Sequence, residues 1–221
     1  MPHNNGFWNW VVLLTITVGG YVPMIIGGFH HHSEINLAAF SLWSIAMAMA
    51  FGSSFYMGYD TWRLALGFLI GNVTMVILGL SIGGYTFNLG KSETLSLYTI
   101  IAALSLWGAL GTITQKWNNH LLLFGAIASD VISFYPQLMQ YLKPHEHPTS
   151  LLFIGWTFWA LGAAISFIFV ENVFTKLKMS KEEYMRAFDK PSKNIILILE
   201  ESAFSFENFA LITITILVMA R

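Results

Sequence analysis

The chain has 221 residues, of which 55% are hydrophobic and only 10% charged, with a mean hydropathy of +0.60 and a formal net charge of −1. Soluble domains carry about a quarter charged residues, so this sequence lacks the polar surface to cover a water-soluble globule, and lipid is its natural solvent. The near-zero charge gives no sign of nucleic acid or any strongly charged partner, and the absence of cysteine excludes disulfides and thiolate metal sites.

A bilayer crossing needs roughly 20 mostly apolar residues, and seven stretches meet that need in chain order. The first, Phe7 to Gly28, has no basic residue ahead of it and reads as a retained span rather than a cleaved signal. It is followed by Ile35 to Tyr56, Trp62 to Gly83, Leu95 to Thr114, Leu121 to Leu142, Leu151 to Val170 and Asn194 to Ala220. Turn or charge signals separate them, among them His30-His31-His32-Ser33-Glu34, Tyr59-Asp60 and Lys143-Pro144. The longest break, Glu171 to Lys193, is charged and predicts a surface loop or an interfacial helix. The expectation is an all-α, multi-pass integral membrane protein, placed in the cell (inner) membrane.

The chain also contains an internal repeat at an offset of 113 residues: Pro23 aligns with Pro136, His32 with His145, Phe40 with Phe153, Trp43 with Trp156 and Ser53 with Ser166. Each copy reads as an apolar helix carrying a proline, a His-containing loop, then a helix bearing a tryptophan. The repeat predicts two parallel three-helix bundles, residues 1–90 and 119–221, joined by a linker helix at 91–118, a 3+1+3 arrangement with its axis along the membrane normal. Proline inside a helix removes a hydrogen bond and kinks the chain, so Pro23 and Pro136, with Gln137 beside the second, are candidate gating residues.

Phe134-Tyr135-Pro136-Gln137 resembles the PQ-loop motif, and Tyr21-Val22-Pro23-Met24 resembles a degenerate copy with Met24 in place of glutamine. Together with the span count, these residues make the chain similar to the PQ-loop and SWEET transporter superfamily over nearly its whole length. That resemblance implies a central site between two bundles and passage of a sugar-like solute by alternating access, with no enzymatic activity and no cofactor. It implies that Asn72 and Asn208 hydrogen-bond the solute. Trp43 and Trp156 would stack on its apolar face, with Trp159 one turn from Trp156; amides and aromatic plates suit a neutral polar molecule. The expected partners are therefore a small-molecule solute and the lipid bilayer, and a homo-oligomer is compatible with the sequence.

Carboxylates at membrane depth are costly and functional by default. Asp130 falls near the middle of the fifth span, and Glu207 within the seventh, since too few residues follow Glu207 to cross a bilayer. Both are candidates for proton coupling. The loop histidines His30, His32, His145 and His147 are a weaker, alternative metal site; solvated loops are the plainer reading, and no metal is assigned. Gly67 and Gly71 form a GxxxG pattern that close helix packing explains.

Other readings stay open on the sequence alone. Trp156-Thr157-Phe158-Trp159 looks like the WxxW of the PnuC family, which would make the solute a vitamin-precursor riboside. A seven-helix receptor, or a membrane metalloenzyme using the histidine loops, is a different class. A retinal photoreceptor is excluded because no lysine lies between Asn194 and Ala220. Basic residues concentrate on the N-terminal side of the predicted topology (Arg63, Lys116 and the lysines and arginine of 176–193), which places the N-terminus in the cytoplasm by the positive-inside rule.

Overall fold

A computed structural model describes residues 5–30, 36–82, 87, 89–111, 115–141, 150–188 and 193–220. Every regular element among them is helical. Helices α1 (Asn5–Leu14) and α2 (Val22–His30) are joined by a π-helical segment, Thr15–Tyr21, into one continuous first span. Next come α3 (Leu37–Met57), α4 (Trp62–Ile82), α5 (Lys91–Gly111) and α6 (Gln115–Tyr141). Helix α7 (Ser150–Ile165) runs into a second π segment, Ser166–Val170, and is followed by the short α8 (Val173–Lys178) and α9 (Lys181–Phe188), and by α10 (Ile195–Met219).

Five stretches among the described residues are long and apolar enough to cross a membrane: Gly6–Gly27, Leu37–Met57, Trp62–Ser81, Ser150–Lys178 and Ile195–Met219. Their outer faces have no protein partner. On the first span Trp10, Leu14 and Val18 recur at helical spacing and are 66%, 54% and 55% exposed, a stripe that only lipid can cover. The chain is a multi-pass membrane protein. Helices α5 and α6, expected as spans, are not among these five: α5 opens on Lys91-Ser92-Glu93, and within α6 the stretch Asn119–Phe134 is apolar among the described residues.

Helix ends follow local chemistry. Asn36 caps α3 by accepting from Ala38 N at 3.0 Å and donates through Nδ2 to Glu93 Oε1 at 3.0 Å, tying the start of α3 to that of α5. Asn194 caps α10 in the same way, accepting from Ile196 N. Gly58 ends α3 at a left-handed φ of 69°, a conformation that suits glycine. The first π segment ends two residues before Pro23. A proline cannot donate and its ring would strike the carbonyl four residues back, so widening the preceding turn lets the helix continue through it.

Of the two readings of the 171–193 stretch, surface loop or interfacial helix, the described residues are mainly helical. The stretch folds as α8 and α9, and its Glu171 and Lys176 are 0% and 4% exposed, because Lys176 Nζ reaches Glu201 Oε2 on α10 at 2.9 Å. Paired in this way a buried charge is tolerable.

Helix α3 packs on α4 and α6, α7 on α10 and the first span, the first span also on α4, α10 also on α6, and α5 on α6. Serine hydroxyls hold the α5–α6 pair, Ser96 Oγ lying 2.6 Å from Ser129 Oγ and 2.7 Å from Ser133 Oγ. Small residues let the first span approach closely. Gly67 and Gly71 face Ile16 and Tyr21, and a Cβ on Gly71 would meet the Tyr21 ring. Gly71→Val should therefore destabilise the fold by about 1–3 kcal/mol through overpacking. Gly6→Ala, which meets open space, should not. Thermal unfolding of the two variants in detergent checks this, and equal midpoints would contradict it.

Candidate functional site: an aromatic cavity with a buried carboxyl pair

All five helices that could cross a bilayer, together with α6, converge on one partly open cavity, with about 220 Å³ of space free of atoms that includes its open mouth. The first span contributes Tyr21, α3 contributes Trp43 and Met47, and α4 contributes Phe68 and Asn72. Asp130 and Phe134 come from α6, Trp159 from α7 and Asn208 from α10. Trp43, Asn72, Asp130, Trp159 and Asn208, singled out in the sequence for different reasons, thus share one wall. All five are at most 3% exposed.

Trp156 does not line the cavity. Three residues from Trp159 on α7, it packs edge-on against Phe134, with centroids 5.6 Å apart, and against Trp159 at 4.9 Å and 70°. The two indoles of the WxxW pattern meet edge to face, leaving no parallel slot between them for a nucleobase. Trp43 extends the aromatic chain, 5.4 Å from Phe134, and Tyr21 and Phe68 flank Trp159 at 4.7 and 5.4 Å.

The two asparagines are held differently. The Tyr21 hydroxyl donates to Asn72 Oδ1 at 2.6 Å, with the Phe68 carbonyl a second acceptor at 2.9 Å. Asn208 Nδ2 donates to the Phe204 carbonyl at 3.0 Å and to Glu207 Oε2 at 2.9 Å, and its amide also bonds Asp130.

Asp130 and Glu207 are themselves hydrogen-bonded, across the α6–α10 contact. Two carboxylates have no donor between them, so this bond requires one shared proton. Glu207 is half-buried as a residue, yet its Oε1 is out of contact with solvent. Five buried polar atoms in this region have no partner among the described residues: Asp130 Oδ2, Glu207 Oε1 and the indole nitrogens of Trp43, Trp156 and Trp159. Unmet donors and an unmet acceptor around one cavity are the signature of a place meant for a polar occupant.

Tyr21, Met47, Phe68 and Phe134 also line the cavity and carried no signal in the sequence beyond being apolar or aromatic. Tyr21 was the most accessible of them to reasoning, since it lies two residues before Pro23 in the first motif copy. Of the gating candidates, the α2 helix contains Pro23, and the α6 backbone is helical through Pro136 and Gln137, whose side chains lie outside the described residues. His31, His32, His145 and His147, and the side chain of His30, also lie outside them. Among the described residues no group of three or more His, Asp or Glu side chains is placed to hold a metal ion.

A second polar cluster sits at the membrane face where α10 begins. Glu201 Oε1 accepts from the Asp60 backbone N at 3.1 Å while Oε2 takes Lys176, and Glu200 pairs with His120 and with the Tyr59 hydroxyl. Burial, with Glu200 and Glu201 adding to it, pushes the Tyr59 phenol above its usual range, so it acts as a neutral donor. These bonds tie the α3–α4 turn, α6 and α8 to α10 and seal one end of the molecule.

No protein-family model, no curated protein and no solved structure matches this chain.

Removing the Tyr21 hydroxyl tests the geometry of the cavity wall. Tyr21→Phe should cost about 1–3 kcal/mol by leaving Asn72 unsatisfied, read by chemical unfolding of the detergent-solubilised protein. An unchanged stability would mean that Asn72 finds its partner elsewhere.

Proposed function

We propose that the chain is a carrier that passes a small polar solute across the bilayer through this cavity by alternating access, with Asp130 and Glu207 coupling the movement to protons. The observation that carries the reading is a pair of buried, hydrogen-bonded carboxyls set among unpartnered polar groups where helices from both halves of the chain meet. A carboxyl in hydrocarbon costs at least about 2.5 kcal/mol and is retained for function.

The contact pattern supports the two-bundle arrangement and the likeness to the PQ-loop and SWEET superfamily. Exchanging the first span, α3 and α4 for α6, α7 and α10 turns each contact among these six into another observed one, while α5 packs on α3 and α6 without such counterparts. The first span on α4 becomes α6 on α10, α3 on α4 becomes α7 on α10, and α3 on α6 becomes α7 on the first span. In this reading α5 is the linker, seven helices cross the bilayer, and the cavity lies on the pseudo-two-fold axis. Pro23 and Pro136 then occupy equivalent helices, where the missing hydrogen bonds make bending cheap. The cluster of Tyr59, Asp60, His120, Lys176, Glu200 and Glu201 is the closed gate of one face.

Uptake into proteoliposomes tests the carrier. Glu207→Gln removes the partner with which Asp130 shares its proton, so the pH dependence of uptake should flatten while the protein stays folded. A pH profile identical to the wild type would remove the pair from the mechanism. Asn72→Ala or Asn208→Ala should weaken solute binding by about 1–3 kcal/mol, the cost of an unsatisfied buried partner. Unchanged affinity in both would mean that the solute passes elsewhere.

A further inference from the structure

The cavity combines aromatic rings and acid with no base. Five of its lining residues are aromatic, Tyr21, Trp43, Phe68, Phe134 and Trp159, and no lysine, arginine or histidine lines its described wall. Asp130 reaches the cavity with Oδ2 unpartnered, and Glu207 stands beside it. An incoming cation favours ionisation of a neighbouring carboxyl, which then balances its charge. Aromatic faces attract cations, most strongly when the cation is desolvated, and cages of such rings are the usual receptacle for ammonium groups.

Resting on the carrier reading, we infer that the solute is a small organic monocation of the amino-alcohol class. Its ammonium sits within the aromatic wall against Asp130, and its oxygen accepts from the unpartnered indole N–H of Trp43. A hexose would meet the hydrogen bonds and make no use of the acid. An amino acid would bring a carboxylate with no basic side chain on the described wall to receive it.

The experiment titrates choline, tetramethylammonium, glucose and glycine betaine into the full-length protein in nanodiscs, with calorimetric readout. Choline should bind, more tightly than tetramethylammonium, which lacks the hydroxyl. Asp130→Asn should weaken choline by about tenfold or more, as expected for loss of one partner of a buried charge pair. Trp43→Phe, which keeps a ring and removes the N–H, should narrow the gap between choline and tetramethylammonium, and it carries the test if Asp130→Asn does not fold. Glucose binding that Asn72→Ala abolishes, with no choline binding, would overturn the inference and leave the carrier standing. Binding of none of the four, with no uptake of any into proteoliposomes, would overturn both.

Discussion

The hydrogen bond between Asp130 and Glu207 is the constraint around which the rest of the molecule is arranged. Two carboxyls cannot sit in hydrocarbon unless each has partners and water or protein around it. That need brings α6 and α10 together, turns their polar faces inward, and recruits Asn208 as a bridge to both acids. Of the unpartnered atoms, Asp130 Oδ2 and the indole nitrogens of Trp43 and Trp159 belong to residues that line the cavity. Had the acids been solvated at an interface, neither the convergence of helices nor the orphaned indoles would be required.

Around this centre, close glycine-mediated packing sits beside interrupted helices. Gly20 and Gly71 allow Trp159 and Tyr21 to lie against neighbouring backbones, so the aromatic wall rests on helices with no intervening side chains. The first span gives up regular α-helix over Thr15–Tyr21, directly before Pro23, and α7 gives it up over Ser166–Val170. Such interruptions are where membrane helices change direction. At the face where α10 begins, Glu200 and Glu201 collect a histidine, a phenol, a backbone N–H and a lysine from separate elements. Contacts of this kind are polar, local and exchangeable with water, unlike the glycine-mediated packing.

Hydropathy alone was enough to read the membrane class and the approximate extent of the helices, because lipid imposes length and apolarity on any span. Asp130, Asn72 and Asn208 stood out because a polar side chain within an apolar run has few structural explanations. Tyr21, Phe68 and Phe134 did not stand out. In a chain that is 15% aromatic, a ring facing a cavity and a ring facing lipid leave the same trace in sequence. The distinction between Trp156 and Trp159 is similarly invisible, since both lie on one helix and only the position of Phe134 decides which faces inward. Polar signals also misled at the edges. The charges at Lys91, Glu93, Glu171 and Lys176 suggested loops, whereas Glu93, Glu171 and Lys176 are buried and partnered by Asn36, by Ser166 and Ser205, and by Glu201.

Because the chain has no cysteine, side-specific accessibility gives the most direct measurement of the central claim. A single cysteine at Met47, on the cavity wall, can be labelled by membrane-impermeant thiol reagents applied to one face or the other of oriented vesicles. Alternating access predicts labelling from both faces, with saturating solute shifting the balance between them. A cysteine that reacts from neither face under any condition, or from both at rates that solute never changes in opposite senses, would contradict the account.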